Sequence, residues 1–254
     1  QPWSPYGERP QDRAPMKRVY TGPVITRNPL QHSRRSVVDT DILTPERALI
    51  FRITHRNNVP WIMQHGVHCT ASEVRDPGFV SIGKAALIDA RSERQLGAPC
   101  KGPLRKHVPF YFTPWSPMLL NILTGRQGVN KRERPEIVVL VSSLHRLRER
   151  GVQFVFSDRH AYLRAAQFSD ALGDLERWVP WELLRAKNFA RNPDRPDDFE
   201  QYQAEALVLD RVPIDALLGV ATYDERTAAM VRSHLPAEEH TMYVTARPRW
   251  YFES

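Results

Sequence analysis

The sequence has few cysteines and no long apolar run. Its 254 residues include two cysteines, Cys69 and Cys100, and neither belongs to a CxxC pair or to a His/Cys cluster. A disulfide scaffold and a structural zinc site are therefore not expected, and a reducing cytoplasm is the expected compartment. The longest apolar stretches, such as 137–141, have the length of a strand, whereas a membrane-spanning helix needs about 18 apolar residues. We therefore expect no membrane association, and no secretory signal is evident.

Familiar motifs for phosphate binding and hydrolysis are also absent from the sequence. It contains no GxGxxG after a predicted strand, no GxxxxGK[ST], no HExxH and no GxSxG. These absences argue against a Rossmann dinucleotide site, a P-loop, a zinc protease helix and a hydrolase nucleophile elbow. Any chemistry must come from another arrangement of side chains.

Basic charge is abundant, and it comes from arginine rather than lysine. Of the 36 basic residues six are lysines, which leaves thirty arginines and a formal net charge of +7. Guanidinium groups bind phosphates in a bidentate manner and stack on bases. The composition therefore favours a partner that carries phosphate, such as nucleic acid or a dinucleotide. A GC-rich genome raises arginine and proline together, so the 21 prolines indicate that it explains part of this bias.

The chain divides into a basic arm and a globular part. Residues 1–45 contain seven prolines and no sustained apolar periodicity, which predicts a flexible N-terminal arm. In residues 46–254 strands outnumber long helices and alternate with them irregularly, which predicts one α+β domain with a mixed, split sheet. Strands are predicted at 48–54, 79–82, 108–113, 137–141, 152–156, 204–212, 219–223 and 241–246. Helices are predicted at 57–65, 84–94, 116–123, 144–150, 168–175, 181–187, 214–218 and 225–235.

Four segments are candidates for chemistry because they place polar or aromatic side chains around apolar elements. They are the strand end 51–55, the charged helix 88–94, the aromatic and proline-rich segment 107–118, and the strand start 202–208. In the last segment Gln203 and Glu205 project from one face of the strand. A glutamate that begins a buried strand is a candidate functional carboxylate. Packed histidines, a solvated helix face and an aromatic core are the structural alternatives.

Taken in order, these segments resemble the DarT family, the DNA ADP-ribosyltransferase toxins of DarT–DarG toxin–antitoxin systems. The resemblance implies an ADP-ribosyltransferase fold, in which a split α+β sheet holds NAD in its cleft. It also implies transfer of ADP-ribose from NAD to a base of single-stranded DNA, thymidine in the most similar branch, without a metal. The matching strings are FRITHRNNVPWIMQHGVHC (51–69), FVSIGKAALIDAR (79–91), HVPFYFTPWSPML (107–119), VFSDRHAYL (155–163) and YQAEALV (202–208).

The resemblance also implies roles for individual residues. Glu205 matches the catalytic glutamate, which would stabilise the positive charge that develops on the ribose of NAD. Arg91, with Arg94 as the alternative, matches the arginine that binds and polarises the acceptor site. His55 matches the histidine that holds the ribose of NAD. The positions predicted to contact NAD are His55, Thr54, Asn58, Tyr111 and Met118.

Trp115 departs from the family pattern, which commonly has an arginine at this position of the aromatic segment. We predict that the Trp115 ring stacks on a base, and packing in the core is the alternative. For the basic residues, a solvated surface is the alternative to DNA contact. The residues predicted to contact DNA are Trp115, Arg94, Arg126, Lys131, Arg132 and Arg159.

Two other functions remain open from the sequence. One is an enzyme of the same fold that modifies guanine in DNA or acts on RNA, and the other is a nucleic-acid-binding protein without catalysis. The presence of Glu205 with Arg91 argues against the second. The resemblance further implies a monomer and a macrodomain antitoxin of the DarG type as a partner.

Overall fold

An eight-stranded mixed sheet forms the centre of the computed structural model, which describes residues 40–83, 85–236 and 242–252. Its strand order is β10-β9-β4-β1-β3-β7-β5-β6, and β2 pairs with β8 separately. Neighbouring strands are antiparallel except for the parallel pair β9 and β10. The predicted α+β class with a mixed sheet is confirmed. The strands are β1 (Leu49–His55), β2 (Val67–His68), β3 (His107–Tyr111), β4 (Ile137–Ser143), β5 (Phe154–Ser157), β6 (Phe168–Ser169), β7 (Glu205–Leu209), β8 (Arg211–Val212), β9 (Gly219–Thr222) and β10 (Tyr243–Ala246).

Short helices connect these strands, and local sequence sets their ends. In α3 the Ser116 hydroxyl accepts a hydrogen bond from the Leu119 N–H (3.1 Å), and Gly125 ends the helix with a left-handed φ of 71°. No helix in the described ranges has the length and hydropathy needed to cross a membrane. The helices are α1 (Val59–His65), α2 (Ala85–Ser92), α3 (Pro117–Thr124), α4 (Leu144–Glu149), α5 (Leu175–Trp178), α6 (Trp181–Arg185), α7 (Asp198–Gln201) and α8 (Glu225–Arg232).

The sheet is divided between β1 and β3, which lie at its centre. Their register brings Phe51 opposite Tyr111, whereas β3 and β7 stay paired along the whole of β3, up to Tyr111 opposite Glu205. Arg52 spans the gap between β1 and β3, because its Nη1 donates to the Pro109 carbonyl oxygen (2.9 Å). The start of β7 therefore lies beside the point where the two halves of the sheet meet.

The hydrophobic core covers both halves of the sheet. All seven residues of β4, with the sequence IVVLVSS, are buried, as expected for a β-branched strand covered on both faces. Among the ring contacts, Phe112 packs edge-on against Phe156 and Trp181, and Phe51 packs in the same way against Trp250. The aromatic segment 107–118 thus supplies core residues.

Two predicted elements are wrong. Residues 79–82 form no strand, because the Val80 backbone is paired with the side chain of Asn58 instead of a neighbouring strand. Residues 168–175 are not a helix: Phe168 and Ser169 pair with β5, and α5 starts only at Leu175. The predicted strand 204–212 is interrupted at Asp210, which has a φ of 59°.

The predicted boundary between arm and domain also needs correction. Leu43 is fully buried, and its carbonyl oxygen accepts a hydrogen bond from Arg185 Nη1 (3.0 Å). Residues 40–45 therefore belong to the folded part, because their side chains and backbone contribute to its packing. The remainder of the predicted arm, 1–39, lies outside the described residues.

Candidate active site

Glu205 and Arg91 form a buried ion pair where β7 begins. Arg91 Nη2 lies 2.7 Å from Glu205 Oε1 and 3.0 Å from Oε2. The Glu205 side chain is 2% exposed and that of Arg91 is 15% exposed, so solvent reaches the pair through the guanidinium. Of the two arginines that the sequence left open, Arg91 is the one at Glu205. Arg94 points elsewhere, and its Nη2 donates to the Leu163 carbonyl oxygen (3.3 Å).

The segment that follows β5 fixes the Glu205 carboxylate. The Ala161 N–H donates to Glu205 Oε2 (2.9 Å), and the Glu205 N–H donates to the Ser157 hydroxyl (3.1 Å). The same hydroxyl donates to the Arg159 carbonyl oxygen (2.6 Å). Both the backbone and the side chain of Glu205 are therefore held by residues 157–161, which gives the carboxylate one defined position.

Electrostatics keep this pair charged at neutral pH. Burial by itself would raise the pKa of Glu205, but the positive charge of Arg91 and the hydrogen bonds from Arg91 and Ala161 outweigh it and lower the pKa. Burial would likewise lower the pKa of Arg91, and the nearby carboxylate raises it instead. A carboxylate and a guanidinium are thus available together in a site from which water is largely excluded.

Three further polar side chains surround the pair. Burial raises the pKa of Tyr111 to about 12 and lowers that of Arg52 to about 10, so at neutral pH the phenol keeps its proton and the guanidinium its charge. His160 Nε2 lies 3.3 Å from Arg91 Nη1. Burial lowers the pKa of His160, so its imidazole is uncharged at neutral pH.

The sequence reasoning missed Ser157, His160 and Arg52 as site residues. All three lie within the strings FRITH and VFSDRHAYL, so the signal was present. It was not interpreted because nothing local to Ser157 or His160 reveals that their segment closes around a carboxylate 45 or more positions away.

The residues predicted to contact NAD lie at the end of β1, in the turn that follows it, at the end of β3 and in α3. Asn58 is fully buried, and its amide joins Thr54 Oγ1 (3.0 Å) to the Val80 carbonyl oxygen (3.0 Å). The His55 ring accepts from the Asn57 N–H through Nδ1 (3.1 Å), so its Nε2 carries the proton toward Glu136 (3.4 Å). Tyr111 lies beside the Glu205–Arg91 pair, and Met118 lies half-buried in α3. Their contacts with NAD stay predictions.

Trp115 corrects the expectation of base stacking. Its side chain is 1% exposed, its Nε1 donates to the Arg249 carbonyl oxygen (2.9 Å), and Lys187 Nζ covers the ring at 3.7 Å from the centroid. The Tyr202 hydroxyl also donates to the Trp115 carbonyl oxygen (3.0 Å). No face of this ring is open to a base, so Trp115 is a packing residue, which is the alternative that the sequence allowed.

The predicted DNA-contacting arginines and lysine occupy different environments. Arg126 and Lys131 are exposed in the loop after α3, and Arg132 is half-buried there, 3.5 Å from Glu136. Arg159 is partly buried and lies between two carboxylates, 3.1 Å from Asp158 and 3.9 Å from Asp197. The structure brings the first three together in one loop and leaves Arg159 neutralised beside the catalytic segment.

A metal centre has no counterpart among the described residues, where no group of three or more His, Cys, Asp or Glu side chains could hold an ion. The polar groups of the site are instead one carboxylate, two guanidiniums, an imidazole and a phenol.

Comparison with known proteins identifies the family. A family model described as ssDNA thymidine ADP-ribosyltransferase, DarT, matches residues 51–252. The chain belongs to the DarT family. A DNA ADP-ribosyl transferase of Escherichia coli O127:H6 (strain E2348/69 / EPEC) is 42% identical over 210 residues, which cover 83% of this chain and 96% of that protein.

Solved DarT structures agree with this assignment. Thermus sp. 2.9 DarT in complex with ADP-ribosylated ssDNA superimposes with a TM-score of 0.73 at 30% identity, covering 82% of this chain and 98% of that one. Thermus sp. 2.9 DarT in complex with NAD+ gives a TM-score of 0.67 at 28% identity, covering 82% and 99%. The predicted family, ADP-ribosyltransferase fold and NAD-dependent DNA ADP-ribosyltransferase activity are confirmed.

Proposed function

We propose that this DarT chain transfers ADP-ribose from NAD to thymine in single-stranded DNA, with Glu205 as the catalytic carboxylate and Arg91 at the acceptor. The observation that carries the proposal is the buried ion pair, in which one guanidinium nitrogen holds both carboxylate oxygens (2.7 and 3.0 Å). A single-stranded substrate fits this arrangement, because a base must be unstacked before it can enter a buried site.

The reaction breaks one bond and forms another at the same carbon atom. The bond between ribose C1′ and the nicotinamide nitrogen breaks, and the electron pair leaves with nicotinamide, which becomes neutral. The acceptor atom of thymine then bonds to C1′ and loses its proton to solvent. Positive charge develops on the ribose between these events, and the Glu205 carboxylate stabilises that charge more than it stabilises the bound substrate.

Arg91 is suited to serve the acceptor because Glu205 occupies only part of its guanidinium. Nη2 binds the carboxylate, while Nη1 faces the neutral imidazole of His160 at 3.3 Å. Arg91 is also the member of the pair that solvent reaches. The same side chain can therefore fix the carboxylate and polarise a base oxygen that enters from outside.

Replacement of the carboxylate tests this function. We predict that Glu205→Gln lowers labelling of a thymidine-containing single-stranded oligonucleotide by at least 100-fold, a loss typical of removing an electrostatic group from a transition state. The amide keeps the size of the side chain, so the affinities for NAD and DNA should change little. Glu182→Gln, at an exposed position of α6, is the control. Labelling at the wild-type rate by Glu205→Gln would show that another residue is the catalytic carboxylate.

The proposals on partners, oligomeric state and compartment rest on family membership. We infer that a macrodomain antitoxin of the DarG type removes the ADP-ribose, that the enzyme acts as a monomer, and that it works in the cytoplasm, where NAD and DNA are both present. A macrodomain gene beside this one, and loss of the label when that macrodomain is added, would support the first inference. The molar mass in solution tests the second.

A further inference from the structure

Two exposed apolar side chains lie on the two segments that carry Arg91 and hold Glu205. In the described part of the chain, four large apolar side chains are exposed: Val74, Phe79, Ile88 and Tyr162. Two of these, Ile88 and Tyr162, are each 38% exposed. Ile88 lies in α2 with Arg91, and Tyr162 packs near His160, whose Nε2 is 3.3 Å from Arg91 Nη1. Neither side chain is explained by packing alone, and the family resemblance assigned neither of them a role.

Tyr162 extends from the same rigid segment that holds Glu205. The Tyr162 ring lies 6.5 Å from the ring of His160, edge to face, and His160 Nε2 lies 3.3 Å from Arg91 Nη1. The Tyr162 N–H donates to His160 Nδ1 (3.3 Å), and the neighbouring Ala161 N–H holds the carboxylate. A planar base stacked on the Tyr162 ring would therefore be separated from the Arg91 guanidinium by the His160 ring.

Ile88 lies on α2, the helix that also carries Arg91. It precedes Arg91 by three positions, which places both side chains on one face of the helix. Its tip lies against Gly83, where an added Cβ would be 2.9 Å from Ile88 Cδ1 and 3.3 Å from Met118 Cε. The apolar wall thus continues from Ile88 through Gly83 to Met118.

We propose that Tyr162 and Ile88 hold the acceptor thymine over Arg91, with the base stacked on the Tyr162 ring and its methyl group against Ile88. This inference rests on the proposed function and names the part of the chain that selects the base. Thymine differs from uracil by that methyl group alone, and apolar side chains commonly recognise it. An aromatic face provides stacking for any base, whereas the methyl contact adds the preference for thymine.

Kinetics with two oligonucleotides test the proposal in the full chain. One oligonucleotide carries a single thymidine, and the other carries deoxyuridine at the same position. We expect Tyr162→Ala to raise the KM for DNA about tenfold, with the affinity for NAD unchanged and with Tyr162→Phe within twofold of wild type. We expect wild type to prefer thymidine about fourfold, the contribution of one buried methyl group, and Ile88→Ala to abolish that preference.

Val74→Ala provides the matched control. Val74 is 50% exposed. Its segment is hydrogen-bonded to residues just before β3 and just after β7: the Ala71 N–H donates to the Arg105 carbonyl oxygen, and the Cys69 N–H donates to that of Asp210. This variant should match wild type with both oligonucleotides. Melting temperatures equal to wild type would exclude unfolding as the cause of any loss.

The outcomes distinguish this inference from the function on which it rests. An unchanged KM for DNA in Tyr162→Ala, or equal labelling of the two oligonucleotides by wild type, overturns the inference while the function stands. A failure of wild type to label either oligonucleotide overturns the proposed function, and this inference with it.

Discussion

At the scale of single residues, the contrast between Trp115 and Tyr162 shows how burial decides what an aromatic ring can do. Trp115 is 1% exposed and is held by four polar contacts, whereas Tyr162 is 38% exposed near His160. Both occur in segments that resemble the family. The sequence predicted base stacking for Trp115, which departs from the family pattern, and gave Tyr162 no role.

We predict that Trp115→Ala destabilises the protein instead of weakening DNA binding directly. Removal of a buried tryptophan costs about 3–5 kcal/mol of unfolding free energy, which for a chain of this size lowers the melting temperature by roughly 10 °C. Trp115→Phe keeps a ring in the core and should lose less. Trp115→Arg should fail to fold, because it buries a charge.

Thermal melts and DNA affinities of these three variants check the prediction. A wild-type melting temperature for Trp115→Ala together with a large loss of DNA affinity would restore the stacking role for Trp115.

The residue scale also shows how much of the buried Glu205–Arg91 ion pair could be predicted. Glu205 and Arg91 were both predicted, but through the resemblance and not through spacing, since they are 114 positions apart in the chain. The choice between Arg91 and Arg94 could not be made from sequence. Both lie near the end of α2, and only the direction of each guanidinium in the fold separates them.

At the scale of elements, a buried amide replaces the strand that was predicted at 79–82. Asn58 Nδ2 donates to the Val80 carbonyl oxygen (3.0 Å), and the Val80 N–H donates to Asn58 Oδ1 (2.8 Å). The side chain thus provides the two hydrogen bonds that a neighbouring strand would have made. These two bonds attach the segment around Val80 to the turn that follows β1.

We predict that Asn58→Ala detaches the segment around Val80 from the turn that follows β1. The Val80 amide should lose its protection from hydrogen exchange, and NAD affinity should fall several-fold, since the loss of two buried hydrogen bonds costs about 1–3 kcal/mol. Glu182→Gln, at an exposed position of α6, is the control because it leaves both hydrogen bonds in place. Hydrogen–deuterium exchange of the peptide that contains Val80 measures the effect. Unchanged exchange in Asn58→Ala would mean that other contacts hold the segment.

Most elements were predictable because their signals are local. Continuous apolar runs gave β1, β4 and β9, and the N-cap Ser116 with Pro117 gave the start of α3. The two failures have a shared cause. Residues 79–82 and 168–175 depend on partners that are distant in sequence, a buried amide and an edge strand, and no local pattern encodes such partners.

At the scale of the whole molecule, the net charge is +7, but the basic residues differ in how far nearby carboxylates neutralise them. Arg159, Arg132 and Lys131 lie within 4 Å of carboxylates, so their charge is partly neutralised. Arg126 is exposed in the same loop as Lys131 and Arg132. We therefore expect Arg126 to contribute most among the predicted DNA-contacting residues of that loop.

We predict that Arg126→Ala makes DNA binding less dependent on salt. Each phosphate contact to a single strand contributes about −0.7 to the slope of log affinity against log salt concentration, and the variant should lose one such contribution. Arg177→Ala is the control, because its side chain is 76% exposed in α5 and pairs with Asp174 at 3.4 Å. Fluorescence anisotropy across a salt series provides the slopes. Identical slopes for wild type and Arg126→Ala would exclude this arginine from the DNA path.

The insertion of β7 between β3 and β5 determines when the enzyme becomes complete during its synthesis. Five of the eight strands of the main sheet, β1, β3, β4, β5 and β6, precede β7 in the chain. Arg91 leaves the ribosome long before its carboxylate partner, which is residue 205 of 254. A nascent or prematurely terminated chain that stops before β7 therefore carries the guanidinium without the carboxylate, so DNA modification requires molecules whose translation has passed Glu205.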